Sequence, residues 1–345
     1  MTRGTTTRRG VLKGAAAGSV ILAAPAVVGQ AAAQGKKVSY IAPFAYQMSF
    51  APELNAVAGG HHARHGLDVE MLPGRGAAMA VQQVVAGRAL FTRTSGIEIA
   101  LSVDKGVDLV GIATMVQSSN FFVVSAQDKP IRNAKEMPGK TIGIVSVRGS
   151  TENTLDMMLA KNNIPIEQVK RQPVGNAPSA FALVAQGRID AMIVSLPTVT
   201  LLRESGEKIL AWNTDQEAKQ PGQVYLCLKS TIEKDPDVCL RFVRGIRDSA
   251  RELLAADTPA KREAIVKRLG EKFPIEGLTN PAAAAKTIED EEPLWFSEGK
   301  ENLLRNVPSR WQALIDNMNA AKQLERKIAA TDLYTNRFVE EALRS

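Results

Sequence analysis

TIGIVSVRGSTENTLDMMLAKN, residues 141–162, joins a short strand-like run to a longer helical run. Residues 141–145 are rich in β-branched side chains, as is typical of a buried strand, and residues 151–162 have the length of a helix. The alternation continues with a strand predicted at 169–174, a helix at 178–186 and a strand at 189–194. Strands separated by helices form βαβ crossovers around a mainly parallel sheet. This stretch therefore predicts an α/β fold.

The same alternation precedes this stretch, so the chain contains two similar halves. Strands are predicted at 38–41, 67–72, 89–92, 109–113 and 121–125, with helices at 50–65, 77–86 and 97–104. Residues 130–139 interrupt the pattern before it restarts. Val84-Val85-Ala86-Gly87-Arg88 ends one helix, and Val184-Ala185-Gln186-Gly187-Arg188 ends another one hundred residues later. In both, glycine is suited to the helix C-cap, which favours two lobes of similar construction.

The part of the chain after Leu228 differs in character, because it is predicted to be helical and charged as far as Arg344. Asp235-Pro236 begins a long amphipathic helix that ends near Ala256, and Thr258-Pro259 begins another. Proline is favoured at such early helix positions. Helices added after an α/β pattern are expected to pack on a lobe that already exists.

The first 33 residues have the order of an export signal. Arg8-Arg9 precede an uncharged, mostly apolar run at 14–28, and Ala31-Ala32-Ala33 follow. Paired arginines, a short apolar region and small residues are typical of a twin-arginine signal peptide. We expect cleavage between Ala33 and Gln34 and a mature protein free in a bacterial periplasm. No cysteine follows the apolar run, so a lipoprotein signal is not expected.

Charge and composition exclude some classes of function. Loss of the signal removes four basic residues and no acidic one, which lowers the net charge from +7 to +3. The mature chain has no basic run and few aromatic residues, so nucleic-acid binding is not expected. The motifs of serine hydrolases, zinc proteases and P-loop proteins are missing from the sequence. Cys227 and Cys239 could form a disulfide or remain as two buried thiols.

Four short motifs resemble the solute-binding proteins of ABC importers, in the branch for nitrate, sulfonates, taurine and thiamine precursors. They lie at 66–70, at 74–78 leading to 85–87, at 138–144 joined to 149–151, and at 187–191. The resemblance implies a periplasmic-binding-protein-like fold in which each lobe is a mainly parallel sheet flanked by helices. Lobe one would comprise 36–125 and 223–345, including a helical C-terminal extension, and lobe two 126–222. The chain would cross between them near Ser125 and Gly222, and a ligand would bind in the cleft.

Residues at the carboxyl ends of the predicted strands are candidates for this cleft. Free N–H groups at helix N-termini favour an anion, although serine and threonine at such positions also serve as ordinary caps. Phe44 and Tyr46 could stack on a flat ligand or belong to the core of lobe one. The ligand-binding candidates are Phe44, Tyr46, Gln47, Gly76, Ala77, Ala78, Arg93, Thr94, Ser95, Asn120, Ser146, Arg148, Gly149, Ser150, Thr151, Asn176 and Ser195.

Arg93 is the candidate from which we expect the strongest contact with an anion. It follows a predicted strand directly, where a guanidinium could bind a carboxylate or sulfonate through two hydrogen bonds. On this hypothesis Arg93→Ala weakens binding and leaves the fold intact. His61 and His65 have a spacing that suits a metal on a helix, but a third ligand is lacking. The resemblance implies that these histidines are exposed and far from the cleft, and we expect no metal or cofactor.

The resemblance implies transport without chemistry. A monomer would capture a small organic anion and deliver it to a membrane permease that works with an ATPase. Two alternatives remain at the level of sequence. One is an enzyme on the same fold, similar to the sulfinate desulfinases that use a cysteine nucleophile or to pyrimidine-precursor synthases. The other is a sensory partner of a membrane receptor, which would use the same cleft.

Overall fold

The computed structural model describes residue 1, residues 35–275 and residues 278–344. The signal peptide predicted at 1–33 lies, apart from Met1, outside the described residues. Among the residues described, no helix combines the length and the apolar character that crossing a membrane requires.

The strands and helices follow the predicted alternation. The strands are β1 (Lys36–Ile41), β2 (Leu67–Leu72), β3 (Phe91–Thr94), β4 (Leu109–Val116), β5 (Phe121–Ala126), β6 (Thr141–Ile144), β7 (Lys170–Pro173), β8 (Ala191–Ser195), β9 (Ile209–Asn213) and β10 (Gln223–Leu228). The helices are α1 (Ala51–Ala58), α2 (His61–Arg64), α3 (Ala77–Val85), α4 (Gly96–Asp104), α5 (Ser150–Lys161), α6 (Phe181–Ala185), α7 (Leu196–Glu204), α8 (Lys229–Lys234), α9 (Pro236–Ala255), α10 (Pro259–Lys272), α11 (Pro281–Trp295), α12 (Pro308–Ala320) and α13 (Arg337–Arg344).

Two five-stranded sheets form the two lobes and confirm the predicted fold class. The first sheet has the order β2-β1-β3-β10-β4, and the second has the order β7-β6-β8-β5-β9. In the first sheet β10 runs antiparallel to both of its neighbours, and in the second β5 does the same. The other four strands of each sheet therefore run in one direction. The antiparallel strand is in each case the one that has just crossed from the other lobe.

The chain crosses between the lobes twice, and the two crossing segments lie side by side. The first crossing is at 117–120, between β4 and β5, rather than near Ser125 as predicted, because Phe121–Ala126 pairs with β8 and β9 in the second sheet. The second occupies 214–222. The N–H of Gly222 donates to the carbonyl of Val116 at 2.9 Å, and the Ser119 and Thr214 hydroxyls are 2.9 Å apart. These bonds hold the crossings together as one hinge.

The C-terminal helices contact both lobes, whereas the sequence predicted an extension on lobe one alone. The Thr200 hydroxyl of α7 donates to Asp290 of α11 at 2.7 Å. The Gln323 amide donates to the carbonyl of Asn153 on α5 at 2.9 Å. Arg310 of α12 binds both carboxylate oxygens of Asp215 in the second crossing, at 2.8 and 2.7 Å. The extension therefore contacts both lobes and one of the two crossing segments.

The helix predicted at 50–65 is divided into α1 and α2, because Gly60 takes a left-handed conformation with φ of 70°. His61 and His62 of α2 are buried against α9, and His65, which follows α2, is half-buried, so the expectation that the histidines are exposed was wrong. His61 Nε2 is 2.6 Å from Glu252, and His65 Nε2 is 2.7 Å from Asp248. His62 stacks on Phe242, with ring centroids 5.0 Å apart. All three rings therefore contribute to the packing of α9.

Burial of His62 predicts a loss of stability in mild acid. Desolvation, aided by His61 and His65, lowers the pKa of His62 to about 3, whereas an unfolded histidine titrates near pH 6.5. Because protons bind the unfolded state more readily, the free energy of unfolding should decrease by up to ~1.4 kcal/mol per pH unit below about 6.5. The measurement is urea unfolding between pH 7 and about 4.5, above the range in which Glu252, with a pKa of about 2, loses its contribution.

His62→Phe is the matched variant for this prediction, because it keeps the aromatic contact with Phe242 and removes the titrating nitrogen. Its unfolding free energy should vary less with pH than that of the wild type. The pKa of His61 is also lowered, mainly by burial, so some dependence should remain in both proteins. Equal slopes in wild type and variant would contradict the role assigned to His62.

Cys227 and Cys239 are free and buried, so the structure has the thiols rather than the disulfide. Hydrogen bonding to Cys239 and burial both raise the pKa of the Cys227 thiol. The thiol form of Cys227 is therefore favoured over the thiolate.

Candidate functional site

A cavity of about 1000 Å³ lies in the cleft between the two sheets. Lobe one contributes the loop after β1 together with α3 and α4, and lobe two contributes the loop before α5 and the start of α7. Ala283, Ala284 and Thr287 of α11 also line the cavity. Of the seventeen predicted residues, the sixteen other than Tyr46 line it: Phe44, Gln47, Gly76, Ala77, Ala78, Arg93, Thr94, Ser95, Asn120, Ser146, Arg148, Gly149, Ser150, Thr151, Asn176 and Ser195.

The N-termini of α3 and α5 approach the cavity from opposite lobes. Their N-cap residues are Gly76 and Gly149, which have no side chain with which to cap the helix. The loop before α3 is held by the Gly76 N–H, which donates to the Pro43 carbonyl at 2.7 Å. Uncapped N–H groups and the helix dipole favour an anionic group. These two ends are therefore a potential anion site formed by both lobes.

The carboxylate of Glu98 also lines the cavity and accepts hydrogen bonds from hydroxyl groups of both lobes. Its Oε2 accepts from Thr94 at 2.9 Å and from Ser95 at 2.5 Å. Its Oε1 accepts from the hydroxyl of Ser150, which belongs to lobe two. Glu98 was not among the residues predicted to line the cleft. Ser95 and Glu98 have the spacing of a capping box, a signal that indicates helix initiation and carries no information about ligands.

Amide side chains supply further polar groups on the cavity wall. Asn176 accepts the Ser195 N–H at 2.9 Å and donates to the Ser195 hydroxyl at 2.8 Å, which positions the start of α7. Gln223 donates to Asn120 at 3.3 Å beside the crossings. Each amide retains hydrogen-bonding capacity beyond these bonds.

Exposed apolar side chains from both lobes also line the cavity. The cavity-lining residues with large apolar side chains and high exposure are Phe44 (42%), Val85 (43%), Val147 (60%) and Leu201 (42%). Phe44 and Val85 belong to lobe one, and Val147 and Leu201 belong to lobe two. Exposed apolar groups concentrated at a cleft are typical of a site that covers apolar surface of a ligand.

Arg93 lines the cavity but is not the free anion clamp that the sequence predicted. Its side chain is buried, with Nη1 3.2 Å from the Glu53 carboxylate and Nη2 donating to the Ser49 carbonyl at 2.9 Å. Glu53 also accepts the hydroxyls of Tyr40 and Tyr225, at 3.0 and 2.8 Å. Burial opposes the charge of Arg93, but the Glu53 carboxylate outweighs it and raises the pKa of Arg93, whereas burial raises the pKa of Glu53. The expected result of removing Arg93 is therefore a less stable fold.

Tyr46 was predicted as a possible ligand contact, and the structure places it in the packing of lobe one. Its hydroxyl donates to the Met71 carbonyl at 2.8 Å, and its ring meets Phe273 edge-on with centroids 5.2 Å apart. Tyr46 lies two residues after Phe44, but the turn between them directs the two rings to different sites.

Comparisons with known proteins identify the relatives of this chain. The model of the family described as "NMT1/THI5 like" matches residues 47–260. The riboflavin-binding protein RibY of Chloroflexus aurantiacus is 22% identical over 323 residues, covering 92% of this chain and 89% of that protein.

Solved structures of two kinds share the fold. The alkanesulfonate-binding protein SsuA of Xanthomonas axonopodis pv. citri, bound to MOPS, has a TM-score of 0.66 at 14% identity, covering 88% of this chain and 99% of its own. The desulfurization enzyme DSZB has a lower TM-score of 0.55 at 13% identity, covering 90% of this chain and 99% of its own. At such identities the likeness shows the fold alone, so function has to be argued from the cleft.

Proposed function

Because this chain belongs to the NMT1/THI5-like family, we propose that it is the solute-binding component of an ABC importer. It would capture a small organic solute between its two lobes and deliver it to a membrane permease that works with an ATPase on the other side. Export through the twin-arginine signal would place the protein, as a monomer, in the periplasm.

The observation that carries this proposal is the cavity of about 1000 Å³ to which both lobes contribute. Binding sites of solute-sized ligands are concave and mostly apolar, with a few convergent polar groups. Here the polar groups come from both sides of a two-segment hinge, so a ligand that contacts both lobes favours the closed arrangement. A ligand can shift such an equilibrium only by binding one state more tightly than the other.

The cleft supports an organic solute with an anionic group and an apolar body. The anionic group would bind at the N-termini of α3 and α5, since Arg93 is already paired with Glu53. The apolar body would lie against Phe44 of lobe one and Val147 of lobe two. A flat solute such as riboflavin and a sulfonate such as MOPS, the ligands named for two of the relatives, are the first compounds to test.

Cys227 argues against the cysteine-dependent enzyme. Its side chain is fully buried, and hydrogen bonding to Cys239 together with burial raises its pKa. A nucleophilic cysteine requires an accessible thiolate. Binding without turnover is therefore the activity that this cleft supports.

Ala78→Trp tests the proposal by filling the cavity from an exposed position. Ala78 is exposed and lines the cleft, so the indole should occupy solute space without disturbing the core. A solute at 100 times its Kd stabilises the wild type by about 2.7 kcal/mol, which raises its melting temperature. Ala78→Trp should keep the melting temperature of the free protein and lose the increase with solute.

Ala185→Trp is the matched control, because Ala185 is exposed and belongs to α6, away from the cavity lining. It should respond to solute as the wild type does. The screen uses organic anions, flat heterocycles and simple anions at millimolar concentration. A protein that none of them stabilises, or an Ala78→Trp variant that still responds fully, would contradict binding in this cleft.

A further inference from the structure

Glu98 is the feature of the cleft that an anion site does not account for. Its carboxylate is half-buried in the first turn of α4 and faces the same cavity as the N-termini of α3 and α5. Its hydrogen-bond partners are the hydroxyls of Thr94, Ser95 and Ser150. Hydroxyl groups satisfy a carboxylate without neutralising its charge. The carboxylate therefore keeps its capacity to repel an anion and to attract a donor.

The other charged residues that line the cavity do not cancel this charge. Arg93 is paired with Glu53 at 3.2 Å. Lys105 and Arg148 are exposed, where water and salt screen them. The half-buried part of the cleft around Glu98 therefore favours groups that donate hydrogen bonds.

The carboxylate also retains room for a ligand. Two oxygens offer about four lone-pair positions, and three are used by hydroxyls, two on Oε2 and one on Oε1. The Ser150 hydroxyl comes from the opposite lobe, so this is also the point at which a solute between the lobes meets Glu98. A donor on the solute could use the remaining position or replace the Ser150 hydroxyl.

We infer that Glu98 is a specificity-determining residue that requires the bound solute to carry a hydrogen-bond donor, an N–H or O–H group, beside its apolar body. The inference rests on the proposed function and narrows its substrate class. A half-buried acceptor disfavours an analogue without the donor, because the analogue displaces water from the carboxylate and leaves its remaining lone-pair position unfilled. Simple anions without a donor, such as nitrate and methanesulfonate, are expected to be rejected by the same carboxylate.

A matched set of naphthalenes tests the inference in the wild-type protein. 2-(1-Naphthyl)ethylamine and 1-naphthylalanine carry an ammonium donor, and 3-(1-naphthyl)propionate has the same ring system with a carboxylate and no N–H or O–H donor. The two donor-bearing probes should bind about 10- to 100-fold more tightly than 3-(1-naphthyl)propionate, the effect of one hydrogen bond to a charged group. Riboflavin, nitrate, methanesulfonate and MOPS are measured beside them at millimolar concentration by thermal shift and calorimetry.

Glu98→Gln removes the negative charge and keeps the size of the side chain. It should weaken binding of the ammonium-bearing naphthalenes by about 10-fold or more and reduce the difference between their affinity and that of 3-(1-naphthyl)propionate. Asp290→Asn is the control, because Asp290 also accepts a hydroxyl from the other lobe, that of Thr200, but lies outside the cavity lining. Asp290→Asn should leave the order of the probe affinities and the differences between them unchanged. This result would separate recognition of the solute by Glu98 from the loss of a hydrogen bond between the lobes.

The possible outcomes distinguish the role of Glu98 from the proposed function of the cleft. The role of Glu98 would be overturned if the wild type bound the donor-free anions more tightly than the donor-bearing probes, or if Glu98→Gln left the affinities of the probes unchanged. Solute binding in the cleft would stand in either case. Equal losses in Glu98→Gln and Asp290→Asn would assign Glu98 to lobe closure and also overturn it. A wild-type protein that responds to none of these probes would contradict the proposed function, and the inference would fall with it.

Discussion

Arg93→Met is expected to lower the free energy of unfolding by about 3–5 kcal/mol, the usual cost of breaking a buried ion pair from one side. Arg93 and Glu53 are both almost completely buried, with the charged groups 3.2 Å apart. Removing the guanidinium leaves the Glu53 carboxylate without its cationic partner, while the hydroxyls of Tyr40 and Tyr225 still donate to it. Methionine fills much of the volume, so the loss reports the charge rather than a cavity. The measurement is urea unfolding at neutral pH.

Two further variants make this expectation specific. Arg75→Ala removes an exposed arginine from the loop before α3 and should change stability by no more than ~0.5 kcal/mol. Adding Glu53→Gln to Arg93→Met removes the uncompensated charge while an amide oxygen still accepts from the tyrosines. The double variant should therefore be more stable than Arg93→Met alone. Equal stabilities of Arg93→Met and the wild type would show that the pair contributes nothing.

Gly222→Ala is expected to destabilise the protein by about 3 kcal/mol or more, at the upper end of the cost of overpacking. Gly222 lies in the second crossing, against the first. A Cβ at this position would stand 1.9 Å from the carbonyl oxygen of Ser118 and 2.9 Å from that of Val116. Both neighbours are backbone atoms, so the methyl group can be accommodated only by separating the two crossings. Urea unfolding measures the cost.

Separation of the crossings should also be visible in the shape of the molecule. The hinge bonds between Gly222 and Val116 and between Ser119 and Thr214 would lengthen or break, which changes the angle between the lobes. Small-angle scattering should then give a different radius of gyration for the variant.

Gly270→Ala is the control for the hinge glycine. Gly270 lies inside helix α10, and a methyl group added there would meet only the flexible end of the Leu278 side chain. There alanine gains helix propensity over glycine of up to ~1 kcal/mol. A Gly222→Ala protein as stable as Gly270→Ala, with the scattering of the wild type, would contradict the close approach of the two crossings.

The alternation of strands and helices predicted the α/β class and favoured two similar lobes, and the family resemblance of the short motifs implied the cleft between them. Gly76, Gly149 and Ser150 could be placed at the cleft from sequence, because the carboxyl ends of parallel strands meet at one edge of a sheet. The position of a loop depends on the order of the strands and helices, and this order can be predicted from the periodicity of the chain.

The partner of each charged side chain was decided by the tertiary structure. Arg93 could be placed at a strand end, but Glu53, forty residues earlier, meets it only after β1, β3 and β10 have paired, and this contact turns an expected anion clamp into a support of the fold. Glu98 shows the converse, since its capping-box spacing concealed a carboxylate that faces the cleft. The local pattern of residues determines whether a segment forms a strand, a helix or a loop. Charge compensation depends on distances of a few ångströms between segments far apart in sequence, and those exist only in the folded chain.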